Sequence, residues 1–119
     1  PGSVGPWIQD GVLRRVFDVI KSRKDALESG REDSESYVQS LLRSGKNKIL
    51  KKLDEETAEV IAATVKGEAS EITAEVADLW FHLLVLLGSE GIHPEAVFSE
   101  LERRFGKSGI REKRERANP

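Results

Sequence analysis

The sequence predicts an all-α protein in which four to five helices form a bundle. Apolar residues recur at helical spacing in successive segments, and glycines or polar stretches separate these segments. Charged residues make up 34% of the chain and aromatic residues only 6%, a profile typical of a helical protein rather than a β-sandwich. With 119 residues, the chain suits one domain with one moderate core.

The first two helices are indicated by apolar spacing and by a polar segment between them. Residues 7–28 have apolar side chains every three or four positions, which predicts an amphipathic helix whose start Asp10 and Gly11 can delay. The polar stretch 29–35 is typical of a loop. Ser36, with Gln39 three residues later, has the form of a capping box. It predicts a short second helix that ends before Gly45.

Three more helices follow. The third is predicted over residues 46–66 and is ended by Gly67. The fourth is predicted over residues 68–90, before Gly91. The fifth, over about residues 94–104, has a proline at its first position, where the missing amide hydrogen costs nothing.

The ends of the chain are expected to lie outside the bundle. Residues 1–6 show no periodicity, and we interpret them as a remnant of expression. Residues 7–106 then form one all-α domain, and residues 107–119 form a charged C-terminal tail.

The fourth helix predicts a homodimer. Between Val76 and Leu87 nearly every residue is apolar, whereas an ordinary surface helix has one apolar stripe. A helix that is apolar on most sides is buried on most sides, and five helices of one small chain seldom cover it completely. We therefore expect that homodimerisation completes the core, with Trp80 or Phe81 near the interface.

Other partners are not expected. The net charge of −2 gives no basic field that would attract nucleic acid or an anionic membrane. The apolar run over residues 76–87 is too short to span a bilayer. The sequence has no signal-peptide pattern and no cysteine, so disulfides and thiolate chemistry are excluded. We expect a soluble, cytoplasmic protein with a small-molecule partner.

Two short acidic motifs stand on the third and fourth helices. The first is Glu-Glu-x-x-Glu, formed by Glu55, Glu56 and Glu59, and the second is Glu-x-x-Asp, formed by Glu75 and Asp78. Residues three or four apart share a helix face, and like charges there repel. A divalent cation with oxygen ligands would compensate this repulsion.

The helical angles place some of these acids toward the packed side. At about 100° per residue, Glu56 falls inside the apolar stripe of the third helix, with Glu59 on its flank. Glu75 lies at the edge of the next helix's stripe, and Asp78 lies further round. Ionised carboxylates there are costly unless they are paired or bind metal. The alternative, a solvated acidic face, would turn Glu56 outward.

An all-carboxylate site favours magnesium, or manganese, over zinc. Such a site suits phosphate chemistry, because magnesium commonly completes its coordination with substrate phosphates and water. Lys51 and Lys52 stand about one turn before the acids, where they can meet phosphate oxygens. For either lysine, a plain surface position is the alternative.

These motifs resemble those of a known superfamily. Glu-Glu-x-x-Glu followed by Glu-x-x-Asp is similar to the signature of the all-α, MazG-like nucleotide pyrophosphohydrolases. Ser36-Tyr37 and the Arg-Arg-Phe-Gly-Lys-Ser-Gly of residues 103–109 resemble the phosphoribosyl-ATP pyrophosphohydrolase family of histidine biosynthesis. The resemblance covers about residues 12–113. Asp54 and Phe105 depart from residues common in that family, but neither departure removes a carboxylate.

The resemblance implies an activity and a set of roles. It implies magnesium-dependent hydrolysis of the α–β phosphoanhydride of phosphoribosyl-ATP to phosphoribosyl-AMP and pyrophosphate. It implies metal ligands at Glu56, Glu59, Glu75 and Asp78. Glu55 is the candidate for water activation or for a second metal, so the expected catalytic residues are Glu55, Glu56 and Glu59.

Residues outside the motifs allow two interpretations each. Arg104 can reach a substrate phosphate from a neighbouring subunit or be a solvated helix-end charge. Lys107 begins a Lys-Ser-Gly segment that can cradle a phosphate, although this signal is weak without the rest of a P-loop. Tyr37 and His82 are expected to be core residues; the alternatives are a substrate contact for Tyr37 and a hydrogen bond from His82 to a site carboxylate.

Two other functions remain open. A house-cleaning pyrophosphohydrolase of free nucleoside triphosphates would use the same metal site and differ only in its substrate-reading residues. In a helical dimerisation module, the acids would be solvated surface residues without a function, and the protein would bind no magnesium. The inward position of Glu56 argues against the second alternative.

Overall fold

A computed structural model of the chain describes residues 11–106, which form five α-helices and no β-strand. The helices are α1 (Val12–Glu28), α2 (Tyr37–Ser44), α3 (Lys46–Lys66), α4 (Ala69–Ser89) and α5 (Pro94–Phe105). The all-α class predicted from the sequence is therefore confirmed for this part of the chain. The expected expression remnant, residues 1–6, and the tail, residues 107–119, lie outside the described residues.

The predicted helix boundaries agree with the structure except at the first helix. α2 and α3 have the predicted bounds, and α4 and α5 differ by one residue at their ends. The described part of the first helix begins at Val12, where Gly11 is the N-cap and has a φ of 84°; residues 7–10 of the predicted helix lie outside the described residues. The backbone conformation of Gly11 lies outside the helical region and favours glycine.

At the start of α2, one of the two hydrogen bonds of the predicted capping box is present. The Oγ of Ser36 accepts a hydrogen bond from the backbone amide of Gln39 at 3.1 Å. The Gln39 side chain is 1% exposed; it accepts from the amide of Asp33 and donates to the carbonyls of Arg23 and Arg31. Gln39 therefore ties the α1–α2 loop to both helices instead of returning to Ser36.

The α3–α4 pair is the centre of the bundle. Gly67 ends α3 in the left-handed conformation, with a φ of 82°, and the chain turns back into α4. α1 packs against α4, and α2 contacts both α1 and α3. The buried core draws on the first four helices and consists of Phe17, Ile20, Val38, Leu41, Ile49, Leu84 and Val85.

One side of α4 keeps exposed apolar side chains. Leu84 and Val85 are buried, whereas Trp80 is 52% exposed and Leu83 is 40% exposed. Both exposed residues line an apolar groove of about 330 Å³, together with Leu13, Leu84, Leu87, Pro94, Val97, Phe98 and Leu101. The described helices thus leave apolar surface uncovered along α4, α1 and α5.

α4 is longer than the apolar run seen in the sequence. The run over residues 76–87 is too short to span a bilayer, but the 21-residue helix Ala69–Ser89 is long and apolar enough to do so, judged by length and composition alone. Core helices of soluble proteins meet the same criterion. Because α4 packs against α1 and α3 and carries Glu75 and Asp78, we interpret it as a core helix.

Candidate active site

The turn at Gly67 brings the two acidic motifs together. Residues at similar distances along the chain from this turn lie level with each other in the α3–α4 pair. Glu56 is therefore level with Asp78, and Glu59 is level with Glu75. Two motifs separated in sequence thus face each other across one helix pair.

Three of the predicted ligands meet in one cluster. Glu56, Glu75 and Asp78 each offer a carboxylate oxygen, and these oxygens all lie within 4.8 Å of one another. We call these three residues the carboxylate cluster. Glu56 is 9% exposed, which confirms that it points toward the packed side as its helical angle predicts. A set of convergent carboxylate oxygens is the donor chemistry of a hard divalent cation, so the cluster can hold a metal ion.

Glu59 lies beside the carboxylate cluster rather than in it. It is exposed and is not part of the group of oxygens that lie within 4.8 Å of one another. Burial raises the pKa of Glu75, and the charges of Glu59 and Asp78 raise it further. The charge of Glu59 therefore acts on the carboxylate cluster. The metal-ligand role of Glu59 stays a prediction.

Lys52 supplies a positive charge beside the carboxylate cluster. Its Nζ lies 3.2 Å from Oε2 of Glu55 and 3.6 Å from Oε1 of Glu56. The hydrogen bond from Lys52 lowers the pKa of Glu55. Glu55 therefore faces Lys52, while Glu56 is shared between Lys52 and the carboxylate cluster. Lys51 is exposed, and its charge also lowers the pKa of Glu55.

Tyr37 and His82 are connected to Asp78, and His82 is 4% exposed, which confirms that it is a core residue. The hydroxyl oxygen of Tyr37 lies 2.9 Å from Nε2 of His82, and Nδ1 of His82 lies 2.7 Å from the backbone oxygen of Asp78. Tyr37 is 47% exposed and is therefore not the core residue that we expected. The sequence signal that placed His82 next to Asp78 was their spacing of four residues on one helix. No sequence pattern near Tyr37 links it to α4.

The two C-terminal candidates are not brought to the carboxylate cluster by any described contact. Nε of Arg104 lies 2.5 Å from Oε2 of Glu100 on the same helix. Hydrogen bonds from Arg103 and Arg104 lower the pKa of Glu100 to about 2. Lys107 lies outside the described residues. Phosphate binding by Arg104 and Lys107 stays a prediction.

Comparison with known proteins identifies the family. The model of the family described as phosphoribosyl-ATP pyrophosphohydrolase matches residues 13–105, which include both acidic motifs. The chain belongs to this family. Phosphoribosyl-ATP pyrophosphatase activity, a hydrolytic step of histidine biosynthesis, follows from this membership.

Curated relatives cover almost the whole chain. The phosphoribosyl-ATP pyrophosphatase of Geobacter metallireducens is 51% identical over 108 residues, which are 91% of this chain and 94% of the relative. The enzymes of the same name from Geotalea daltonii and Vesicomyosocius okutanii are 47% and 46% identical over 109 residues, or 92% of this chain and 98% and 99% of the relatives. The resemblance seen in the acidic motifs of the sequence is thus confirmed for the pyrophosphohydrolase domain.

Proposed function

We propose that the carboxylate cluster is where the α–β phosphoanhydride of phosphoribosyl-ATP is hydrolysed. Water adds across this bond, giving phosphoribosyl-AMP and pyrophosphate. The observation that carries the proposal is the convergence of three carboxylate oxygens within 4.8 Å, in a chain that belongs to a pyrophosphohydrolase family. The reaction is proposed to take place in the cytoplasm, as expected for a soluble biosynthetic enzyme.

Magnesium is the ion we propose, with manganese as an alternative, because the donors are all carboxylate oxygens. Glu56, Glu75 and Asp78 would hold it, with Glu59 as a fourth ligand. When bound, such an ion neutralises phosphate charge and polarises the water and phosphoryl oxygens around it.

Lys52 and Glu55 are proposed to act together. Lys52 lowers the pKa of Glu55, and a carboxylate with a lowered pKa is a weak base. A substrate phosphate that draws Lys52 away would restore the basicity of Glu55, which could then accept a proton from the attacking water. Lys51, Arg104 and Lys107 are further candidates for phosphate contacts; Arg104 would have to exchange its partner Glu100.

The deciding experiment measures magnesium-dependent release of pyrophosphate from phosphoribosyl-ATP and, in parallel, from the deoxynucleoside triphosphates. We expect release from phosphoribosyl-ATP alone. Release only from the triphosphates would favour the house-cleaning alternative. If neither is hydrolysed and Glu56→Gln changes no property but charge, the helical dimerisation module is the better interpretation.

Magnesium is also expected to raise the melting temperature. The raised pKa of Glu75 means that this group stabilises the fold at low pH and that this stability is lost as the pH rises through its folded-state pKa. Repulsion among the carboxylates of the cluster opposes folding at neutral pH, and a bound cation relieves this repulsion. Calorimetry at neutral pH should show a melting temperature that rises with magnesium concentration.

Glu75→Gln supplies the control for this melting experiment. It should melt at least as high as the wild type without metal, because it lacks the repelling charge, and it should lose the rise on adding magnesium. A wild-type melting temperature that ignores both magnesium and manganese would contradict the metal site.

We also propose that the active form is a homodimer. The apolar groove between α4, α1 and α5 keeps Trp80 and Leu83 exposed. Large contiguous apolar patches are rare on monomers, and closed two-fold dimers are the commonest way to cover them. A second copy of this chain is the occupant we propose, and the matched variants that test it are described in the Discussion.

A further inference from the structure

Tyr37 and His82 connect α2 to the part of α4 that carries Glu75 and Asp78. The hydroxyl oxygen of Tyr37 is 2.9 Å from Nε2 of His82. Nδ1 of His82 is 2.7 Å from the backbone oxygen of Asp78, one turn earlier on α4. His82 is 4% exposed, so its imidazole ring is held inside the bundle.

The chemistry of the partners determines the direction of both hydrogen bonds. A backbone carbonyl only accepts, so Nδ1 of His82 donates to Asp78. In a neutral imidazole the other nitrogen is then an acceptor, so the hydroxyl of Tyr37 donates to Nε2. The hydroxyl proton of Tyr37 is donated to His82, so the lone pairs of the phenolic oxygen can still accept a hydrogen bond.

The ring of Tyr37 is held in place but not covered. It stacks on Phe81 with a centroid distance of 6.1 Å and an interplanar angle of 24°. Tyr37 is still 47% exposed. Burial raises the pKa of its hydroxyl, the charge of Lys52 lowers it, and the charges of Glu56 and Asp78 raise it. The charged groups of the site therefore act on this hydroxyl.

We propose that Tyr37 presents its phenolic oxygen as a fixed hydrogen-bond acceptor to an O–H group at the carboxylate cluster, with His82 as the positioning residue that holds the hydroxyl proton away. Phosphate oxygens are acceptors themselves and do not fit this position. Two O–H donors do fit: a water held by the cation and a sugar hydroxyl of the substrate. The inference rests on the proposed function, since both donors belong to its cation and its substrate.

Tyr37→Phe tests the acceptor, because it removes the oxygen and keeps the ring on Phe81. The first measurement is the magnesium midpoint of the melting temperature, without substrate. The second is KM for phosphoribosyl-ATP at saturating magnesium. If the donor is a water held by the cation, the magnesium midpoint rises about 10-fold or more, the scale of losing an outer-shell partner. If the donor is a sugar hydroxyl, KM rises by a similar factor and the midpoint stays.

Val38→Ala is the matched control. Val38 follows Tyr37 on α2 and is a core residue, so its truncation leaves a cavity and lowers the melting temperature, but it keeps the hydroxyl and the stack on Phe81 and should change neither the midpoint nor KM. A Tyr37→Phe enzyme that only melts lower, with both quantities at wild-type values, overturns the inference. A wild-type protein with no magnesium response contradicts the proposed function instead.

His82→Phe tests the positioning role. It leaves Tyr37 intact but frees the hydroxyl proton, so it should change the same quantity as Tyr37→Phe. The double variant should then cost no more than Tyr37→Phe alone, because both changes remove one interaction. If the double variant instead shows the product of the two single fold-changes in the magnesium midpoint or in KM, His82 does not act through Tyr37.

Discussion

Asp78→Asn is expected to lower kcat by on the order of 100-fold or more at limiting magnesium, the scale of losing one preorganised electrostatic group. Asp78 offers one of the three oxygens of the carboxylate cluster. Phosphoryl transfer to water leaves the protein little covalent work, so positioning and charge stabilisation dominate catalysis. The measurement is steady-state pyrophosphate release from phosphoribosyl-ATP over a magnesium series, in which high magnesium should restore part of the rate.

Two further variants show whether the loss is specific to the carboxylate cluster. Glu71→Gln removes a charge from the same helix, at a residue that pairs with Lys66, and should keep kcat. Lys52→Ala should raise KM and largely keep kcat if Lys52 binds a ground-state phosphate, and magnesium should not rescue it. An Asp78→Asn enzyme with wild-type kcat at limiting magnesium would remove the Glu-x-x-Asp motif from the mechanism.

Leu84→Glu is expected to unfold the protein, whereas Leu83→Glu is expected to leave it folded and monomeric. Leu84 is 5% exposed and belongs to the core, so its replacement buries an unpaired charge. That penalty of several kcal/mol is comparable with the total stability of a small domain, about 5–15 kcal/mol. Leu83 is 40% exposed and lines the apolar groove, so a charge there remains in water until a second chain packs on it.

Circular dichroism and sedimentation distinguish these two results. Leu83→Glu should keep the helical spectrum and the melting behaviour of a folded protein while it sediments as a monomer. Leu84→Glu should lose the cooperative melt. A wild-type protein that sediments as a monomer at high micromolar concentration would contradict the homodimer. A Leu83→Glu variant that still sediments as a dimer would show that the interface lies away from the groove.

Much of the fold could be predicted because its signals are local. Ser36 before α2, Gly67 after α3 and Pro94 at the start of α5 act within a few residues of themselves. The start of α1 after Gly11 depends on a single positive φ, which glycine permits but does not require.

The carboxylates could be predicted in type and in part of their direction. The helical angle of Glu56 relative to its apolar neighbours was enough to place it on the packed side, where it is 9% exposed. The same reasoning could not separate Glu59 from Glu75. Their distances to a common point depend on how α3 and α4 are rotated against each other, and no periodicity within one helix records that rotation.

By itself, the sequence determined the five helices, the two acidic motifs that face each other across α3 and α4, and the excess of apolar residues on α4. Only the tertiary structure decided that Leu84 is covered while Leu83 is not, because the apolar residues of α4 after Val76 lie on nearly all sides of the helix and do not mark the buried one. Only the tertiary structure brought Tyr37 to His82, 45 residues away. Contacts at that separation are made by packing between helices, and the spacing of residues within one helix does not predict them.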